Sequence, residues 1–359
     1  MLLGFPASKA SPISSGASTE TVRLYRRLLD MGRRASFMLG TSDHFAAMPN
    51  TAPSPTFFGS EESLIANTGR RASVICFEYH DTNWTSRYGS TGATVMRDKI
   101  IAANARGQVI VLHNHIGNPV TGQLSREGQT YPFPGGNYDG TGYVYDTTGS
   151  ALNAIKTGGA QIAAWTAYLD RLATFIESLV DASGKKIPVI MRWFHEANGG
   201  WFWWGTSAAD YKTVWQQFVT YLKDTKGLTS VLFNVNFTTE SSFSGWYPGD
   251  AYVDIISLDN YDNSAAPTVE NGGKLATAYT AMLALSTTKP FALGEFGYQN
   301  HGNNTSIWTQ GVTAYTSTYR KFGMAVMWRT PWGPDTTDST ASKANQSAMA
   351  NDPRVLTLQ

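Results

Sequence analysis

The chain has 359 residues, of which 42% are hydrophobic, so one large domain with a substantial core is possible. Charged residues make up 15%, and 28 Lys and Arg balance 27 Asp and Glu; the net charge of +1 gives no sign of a nucleic-acid partner or an anionic membrane surface. No apolar segment approaches membrane-spanning length, and one cysteine, Cys76, excludes an intramolecular disulfide. We therefore expect an uncharged partner.

The chain is interpreted as a single domain that spans residues 1–359, and its first part as an extension of that domain. This N-terminal extension covers about residues 1–35, with a helix predicted over 19–32. Residues 1–18 lack the charged and apolar regions of a secretory signal peptide. Low charge with abundant Thr, Ser, Asn, Gly and Trp nevertheless favours a secreted protein, whose leader is not evident in this chain.

Short apolar runs alternate with helical patterns along the rest of the chain. Beyond the first helix, apolar spacing predicts helices over 92–106, 161–180, 208–222, 274–285 and 307–322. Eight β/α repeats close as a barrel, so we predict an α/β fold, the (β/α)8 TIM barrel. A doubly wound sheet is disfavoured because the Gly-rich phosphate turn is missing. The predicted strands start near Ala35, Ser73, Val109, Ile187, Ser230, Val253, Phe291 and Met324.

Polar and aromatic side chains follow most of these strands. Active sites of such barrels gather at the carboxyl ends of the strands. Residues 117–150 are rich in Gly, Pro, Tyr and Asp and predict a long loop above this face. Asp259, Asn260 and Asp262 are explained by turn chemistry around Tyr261. The candidates at strand ends are Asp43, His44, Tyr79, His80, His113, His195, Glu196, Asn236, Asp259, Tyr261, Glu295, Trp328 and Arg329.

Two carboxylates stand out because each directly follows a predicted strand, Glu196 the fourth and Glu295 the seventh. Strands across a small barrel can aim both side chains into one cavity. A retaining glycosidase needs two such groups about 5–5.5 Å apart, one as acid/base and one as nucleophile. The acid/base needs an apolar setting to stay protonated, for which the candidates are Trp193, Trp201 and Phe202. The nucleophile needs hydrogen bonds, for which the candidates are Arg192, His195 and Tyr261.

The string HEANGGWFWWG at residues 195–205 resembles the signature of glycoside hydrolase family 26, a family of many β-mannanases. GEFG at 294–297 resembles the nucleophile strand of that family, and MWR at 327–329 resembles its eighth-strand Trp-Arg pair. The resemblance implies a retaining (β/α)8 enzyme with Glu196 as acid/base and Glu295 as nucleophile. The substrate-binding residues that it implies are His113, His195, Trp201, Tyr261, Trp328 and Arg329.

The roles implied by this resemblance are specific. His195 hydrogen-bonds around the nucleophile, and Tyr261 orients it. Trp201 and Trp328 form apolar walls near the cleaved bond, His113 binds the sugar there, and Arg329 reaches the next glycone sugar. Two departures, Ala197 for a larger residue and Thr330 for an Asn, leave the subsite preference open.

The function implied is endo-hydrolysis of internal β-1,4 bonds in mannan, glucomannan and galactomannan with retention of configuration. Mixed-linkage β-glucan, β-1,3-xylan and exo-acting release of mannobiose stay open as alternatives. A carbohydrate-binding barrel without activity is disfavoured because binding does not require two carboxylates. A metal-dependent hydrolase is disfavoured because the histidines show no tight ligand spacing. We expect no cofactor, no metal, no membrane or nucleic-acid partner, and a monomer.

Overall fold

The structure is a computed structural model that describes residues 10–43, 60–79, 92–121, 145–328 and 331–359. Eight parallel strands pair in chain order, and the pairing of the first strand with the last closes them into a barrel. This confirms the predicted (β/α)8 fold. The strands are β1 Phe37–Asp43, β2 Val74–Glu78, β3 Val109–His113, β4 Val189–Arg192, β5 Val231–Thr238, β6 Ile255–Asp262, β7 Phe291–Tyr298 and β8 Phe322–Met327.

Helices surround the barrel in the described part of the chain. The predicted helices are all present, with ends that differ by a few residues from the prediction except in one case. Serine caps two of them: the Oγ atoms of Ser18 and Ser207 accept bonds from the backbone NH groups of Thr21 and Asp210. The helices are α1 Thr19–Arg33, α2 Ser60–Thr68, α3 Gly92–Ala105, α4 Ala151–Ile155, α5 Ile162–Ser178, α6 Ala208–Thr220, α7 Lys274–Leu285, α8 Ile307–Thr316 and α9 Thr340–Ala350.

The prediction that the helix after β7 runs to residue 322 is wrong. Helix α8 ends at Thr316, a turn follows, and β8 begins at Phe322. The hydroxyls of Thr316 and Ser317 bond back to carbonyl oxygens four residues earlier, at 2.7 and 2.6 Å. Such side chains compete for backbone groups and are weak helix formers, so the helix ends where they cluster.

The sequence patterns did not predict α2, α4, α9 or two short strands, Arg71–Ala72 and Val355–Leu358. Helix α9 has no apolar stripe. Its buried face includes Gln346, whose amide NH₂ donates to the carboxylate of Asp338 at 2.6 Å, so polar contacts replace the usual signal. Val355–Leu358 extends the sheet beside β1 and pairs with Arg71–Ala72. The division into one domain with an N-terminal extension stays a prediction.

The core has two layers because strand residues alternate between the two faces of the sheet. Outward side chains pack against the helices, whereas a smaller cluster fills the barrel interior. Cys76 belongs to this interior cluster, as predicted for a buried strand residue, and burial raises the pKa of its thiol. Leu24, Tyr25 and Leu28 of α1 join the same cluster, so α1 closes the amino-terminal end of the barrel. Their burial contributes about 1.5–3 kcal/mol each.

A membrane-spanning helix does not occur among the described residues: none of their helices combines the necessary length and apolar character.

Asp254 joins the N-terminal segment to the barrel. Its two carboxylate oxygens accept bonds from the backbone NH groups of Ile13 at 2.7 Å and Phe233 at 2.8 Å. The side chain is fully buried, and this burial raises its pKa to about 6. Removal of the carboxylate therefore leaves two NH groups without their acceptor, one of them in the segment that precedes α1.

We expect Asp254→Ala to lower the free energy of unfolding by about 1–3 kcal/mol, the cost of unsatisfied buried donors. A thermal melt with circular dichroism measures this as a lower Tm. The control is Asp224→Ala, because Asp224 is an exposed partner of the adjacent Lys223. Equal melting temperatures for the two variants would show that the Asp254 contacts add no stability.

Candidate active site

A buried arginine organises the carboxyl end of the barrel. Arg192 is the last residue of β4, and its side chain has no exposed surface. Its Nη1 donates to Glu295 Oε1 at 2.7 Å, while Nη2 donates to Asp259 Oδ2 and to Asn236 Oδ1. Asn236 Nδ2 also donates to Asp259 Oδ1 at 2.7 Å. One cation thus joins side chains from β4, β5, β6 and β7.

Both oxygens of Glu295 are held. Arg192 occupies Oε1, and the hydroxyl of Tyr261 donates to Oε2 at 2.5 Å. Although burial opposes a charge on Arg192, Asp259 and Glu295 raise its pKa, so it stays a cation. Burial and the charge of Glu295 raise the pKa of Tyr261, so its phenol stays a proton donor. Glu295 is therefore fixed in position by two hydrogen bonds. The prediction that Arg192 or Tyr261 could hold this residue is confirmed for both.

A β-bulge in β7 turns Glu295 toward this network. Ala292 lies in the barrel interior, and simple alternation from it would place Gly294 and Phe296 inside and Glu295 outside. The register with β6 instead shifts between Leu293, opposite Leu258, and Glu295, opposite Asp259. The extra residue is Gly294, and Phe296 joins the outer layer of the core. Bulges beside active sites re-aim side chains in this way.

Glu196 lies after the end of β4, on a backbone with positive φ. Its φ is 51°, a left-handed conformation that a non-glycine residue adopts only when neighbouring contacts enforce it. Two such contacts are present: its backbone NH donates to Asn236 Oδ1 at 2.8 Å, and Trp201 Nε1 donates to its Oε2 at 2.9 Å. The structure thus brings Trp201 to Glu196, as the apolar setting of this carboxyl requires.

The two candidate carboxyl groups lie close together. One oxygen from each of Glu196, Asp259 and Glu295 lies within 4.8 Å of the other two. Burial, followed by the negative charge of Glu295, raises the pKa of Glu196 to about 7. Arg192 bonds to Asp259 and Glu295, whereas Glu196 accepts from the neutral indole of Trp201. Glu196 therefore keeps its proton to a higher pH than an ordinary glutamate does.

Aromatic rings and the imidazole of His115 surround His195. The ring of Phe202 lies 4.9 Å from it between centroids and stacks on Trp204 at 4.5 Å. Trp204 Nε1 also donates to the carbonyl oxygen of His195 at 2.7 Å. Tyr145, which is exposed, stacks on Phe202 at 5.3 Å and continues the aromatic wall toward the surface. The predicted role of His195 beside the nucleophile stays a prediction.

The second group of predicted residues comes from β2, β3 and the end of β8. His113 is fully buried, with its Nε2 3.2 Å from Glu78 Oε2, and the same oxygen lies 2.9 Å from His115 Nδ1. The ring of Trp328 lies edge-on to His113 at 5.6 Å and is 8% exposed. His113 is therefore part of a histidine–glutamate cluster, which we define as Glu78, His113 and His115. The predicted sugar contacts of His113 and Trp328 stay predictions.

The chain matches the sequence profile described as Glycosyl hydrolase family 26 over residues 13–314. This range covers most of the chain and includes both carboxyl groups. The chain belongs to glycosyl hydrolase family 26. The resemblance seen in residues 195–205 and 294–297 is thereby confirmed at the level of the family, whereas residues 327–329 lie beyond the matched range and their resemblance stays a prediction.

Individual curated proteins are also similar in sequence to this family 26 chain. A mannan endo-1,4-beta-mannosidase A and B of Caldalkalibacillus mannanilyticus is 26% identical over 363 residues, which cover 96% of this chain and 63% of the relative. Endoglucanase H of Acetivibrio thermocellus is 29% identical over 194 residues, 48% of this chain and 20% of the relative. The chain spans only 16% to 63% of the length of the first curated relatives that it matches.

Solved structures agree with the fold. The catalytic domain of a Bacillus sp. JAMB-750 GH26 endo-beta-1,4-mannanase superimposes with a TM-score of 0.79 at 24% identity. The match covers 98% of this chain and 94% of that domain. At this sequence identity the structural similarity supports the barrel fold but gives no information about the substrate.

Several predicted features of the family 26 chain fall outside the described residues. These are Arg329, His44, His80 and the side chain of Asp43. Of the predicted long loop, residues 122–144 also lie outside them. The role of Arg329 stays a prediction.

Two sequence interpretations are corrected. Trp193 does not shield Glu196: it packs in the helix-facing layer, where its ring stacks on Phe218 at 6.2 Å, because strand alternation turns it away from the Arg192 face. Asp259 is more than a turn residue, since it is the buried partner of Arg192. The explanation by turn chemistry is confirmed for Asp262, which accepts from the backbone NH groups of 264 and 268.

Sequence reasoning named Asn236 and Asp259 as strand-end candidates but did not predict their bonds to Arg192 and Glu196, and it did not single out Glu78. All three lie at or near the carboxyl ends of barrel strands, which was the available signal. Their function in the site is to hold other groups, and that function depends on side chains from strands far apart in the sequence.

The Arg192 network leaves no space for a side chain at position 294. A Cβ atom there would lie 2.6 Å from Asn236 Nδ2, 2.8 Å from Arg192 Nε and 2.8 Å from Asp259 Oδ1. The network approaches the backbone of β7 closely, and a methyl group must displace it.

We expect Gly294→Ala to destabilise the fold by about 1–3 kcal/mol through overpacking and to disturb Glu295. Urea unfolding measures the loss of stability, and the rate of polysaccharide hydrolysis measures the disturbance of Glu295. Gly245→Ala is the matched control, since a Cβ atom at 245 meets nothing within 4 Å. A Gly294→Ala protein with the stability and activity of the control would contradict the close approach.

Proposed function

We propose that this chain is a retaining endo-β-1,4-mannanase in which Glu295 is the nucleophile and Glu196 the acid/base. The observation that carries the proposal is the pair of neighbouring carboxyl groups with different partners: Glu295 is bonded to Arg192 and Tyr261, whereas Glu196 is bonded to the neutral indole of Trp201. Inverting enzymes separate these groups by about 6.5–9.5 Å to admit a water molecule, whereas retaining enzymes keep them about 5–5.5 Å apart. Oxygens of Glu196 and Glu295 lie within 4.8 Å. This closeness favours double displacement.

In the first step, a Glu295 oxygen attacks the anomeric carbon and the bond from that carbon to the glycosidic oxygen breaks. Glu196 transfers its proton to the departing oxygen, so the leaving sugar departs as an alcohol. Glu295 is then an ester and no longer carries a charge. Arg192 and Tyr261 hold Glu295 in position before the attack, and they bond to its carboxylate again when it is released at the end of the cycle.

In the second step, Glu196 acts as a base. The charge of Glu295 is one of the two leading causes that raise the pKa of Glu196, and this cause disappears in the ester. The pKa of Glu196 therefore falls in the intermediate, and its carboxylate takes a proton from water. The water oxygen attacks the anomeric carbon and releases Glu295, with net retention of configuration.

A mannan substrate is supported by the names of the relatives, since the mannosidase from Caldalkalibacillus mannanilyticus aligns with 96% of this chain. A glucan, such as the mixed-linkage β-glucan, is the second candidate, because the relative named Endoglucanase H matches 48% of this chain. The exposed Tyr145 and the half-buried Trp201 are compatible with either sugar, because aromatic faces cover C–H surfaces common to both.

The decisive test is product analysis after incubation with linear mannan, galactomannan, β-1,3-xylan and mixed-linkage glucan. We expect mixed manno-oligosaccharides from the mannans, and a fall in kcat of about 10²–10⁴-fold in Glu196→Ala, the usual contribution of a general acid. Glu295→Ala should lose turnover at least as strongly, because the covalent step is lost.

The control for both variants is Glu240→Ala, which removes an exposed partner of Lys274. Mannobiose as the sole product would indicate exo action. Products from glucan or xylan alone would refute the mannan assignment but keep the catalytic pair, whereas near-normal activity of either catalytic variant would refute the role of that residue.

The pKa of Glu196 sets the alkaline limit of activity. Because the acid must be protonated to start the reaction, kcat/KM should fall as the pH rises above about 7. The indole NH of Trp201 stabilises the ionised form and lowers this pKa. Trp201→Phe should therefore move the alkaline limb to higher pH, whatever it does to KM.

The measurement is kcat/KM against pH for the wild type and for Trp201→Phe, with Trp246→Phe as the control for the loss of a half-buried indole elsewhere. An alkaline limb that moves to lower pH in Trp201→Phe, or stays in place, would show that the indole does not act on the protonation of Glu196.

A further inference from the structure

The histidine–glutamate cluster combines ligands that transition metals prefer. Glu78 is the last residue of β2 and His113 the last residue of β3, and these two residues are direct partners in the parallel register. His115 follows two residues later. The barrel itself therefore brings one carboxylate and two imidazoles together at the edge of the proposed active site.

The distances between the donor atoms fit a small cation. Glu78 Oε2 lies 3.2 Å from His113 Nε2 and 2.9 Å from His115 Nδ1, and all three atoms lie within 4.8 Å of one another. Tetrahedral Zn²⁺ with bonds of about 2.0–2.1 Å requires ligand atoms about 3.3 Å apart. Small shifts of the side chains are sufficient to admit the ion.

The cluster is held in place before any ion enters. The backbone NH of His115 donates to Glu78 Oε1 at 2.6 Å, which fixes the carboxylate and leaves Oε2 directed at the two imidazoles. Glu78 and His113 are buried, whereas the side chain of His115 is 16% exposed. His115 thus offers the side from which an ion can approach.

The other cluster of possible ligands, which consists of three carboxyl groups, is less suited to an added cation. Glu196, Asp259 and Glu295 also bring oxygens within 4.8 Å, but the Arg192 guanidinium bonds to two of them. A resident cation already occupies that position, so an added cation is disfavoured there.

We propose that the histidine–glutamate cluster is an inhibitory site for Zn²⁺, with Glu78 Oε2, His113 Nε2 and His115 Nδ1 as its ligands. Two imidazoles and one carboxylate favour Zn²⁺ or a similar transition metal over Mg²⁺, which prefers oxygen. The fourth coordination position is left to water, as in three-ligand zinc sites.

Inhibition follows from the neighbours of the cluster. The ring of His115 lies 4.6 Å from that of His195, the residue before Glu196, and His113 lies 5.6 Å from Trp328. A bound ion draws both imidazoles away from their present contacts and places a positive charge beside the sugar-binding face. The inhibition rests on the proposed function, whereas zinc binding does not.

Isothermal titration of the full chain, free of any affinity tag, with zinc chloride tests the binding. We expect one saturable site, no heat with magnesium chloride, and affinity weakened at least about tenfold in His115→Gln. His301→Gln is the matched control, because His301 is another histidine that contacts a carboxylate, that of Asp338 at 2.7 Å. It should bind zinc as the wild type does.

Wild-type crystals soaked in zinc chloride give a second measurement that does not depend on a variant. An anomalous peak should lie about 2.0–2.2 Å from the three ligand atoms. The absence of zinc binding, equal affinity in wild type and His115→Gln, or an anomalous peak elsewhere with none at the cluster would each overturn the site.

Mannan hydrolysis tests the inhibition. Zinc should reduce the rate of the wild type and of His301→Gln, and a chelator should restore it. A wild type that binds zinc at the cluster but keeps its full rate would overturn the inhibition. A wild type that hydrolyses no polysaccharide even without zinc would refute the proposed function, while titration and anomalous scattering still decide the site.

Discussion

The ion pair of Arg192 with Asp259 and Glu295 is the interaction on which the active-site end of the barrel depends. A guanidinium without exposed surface is tolerable only where carboxylates surround it, and removal of one partner of such a buried pair typically costs about 3–5 kcal/mol. The pair fixes β4, β6 and β7 relative to one another. Arg192 bonds to Asp259 and Glu295, whereas burial and the charge of Glu295 raise the pKa of Glu196 to about 7.

Asn236 extends this constraint to the acid/base. Its side-chain oxygen accepts hydrogen bonds from the Arg192 guanidinium and from the backbone NH of Glu196, while its amide nitrogen donates to Asp259. The left-handed backbone at Glu196 is therefore held by the same network that holds the proposed nucleophile. The relative position of the two carboxyl groups therefore depends on this shared hydrogen-bonded unit and on the Trp201 contact with Glu196.

Above the network, the site changes character from charged to aromatic. Trp201 reaches Glu196 through its indole NH, and Phe202 lies between His195 and the exposed Tyr145. The histidine–glutamate cluster borders the same space from β2 and β3. The cleft thus combines rigid polar contacts at its base with flat apolar faces at its wall, an arrangement suited to a ring with hydroxyls on its edge and C–H groups on its faces.

Sequence patterns were enough to predict the barrel, its eight strands, Glu196 and Glu295 as the candidate pair, and Arg192 and Tyr261 as possible partners of Glu295. These features depend on local apolar runs and on the residues that directly follow them. The sequence patterns did not predict helix α9, because its buried face carries Gln346 where an apolar stripe would be expected.

How these residues meet depends on contacts between strands that could not be read from the sequence. Simple alternation along β7 would turn Glu295 to the outside, and the bulge at Gly294 reverses this because the register is set by pairing with β6. Asp259 and Asn236 look like ordinary strand-end residues until Arg192 arrives from β4, and Glu78 joins the histidines only through the register of β2 with β3. Contacts between strands that are far apart in the chain leave no periodic signal, because their geometry exists only once the barrel has closed.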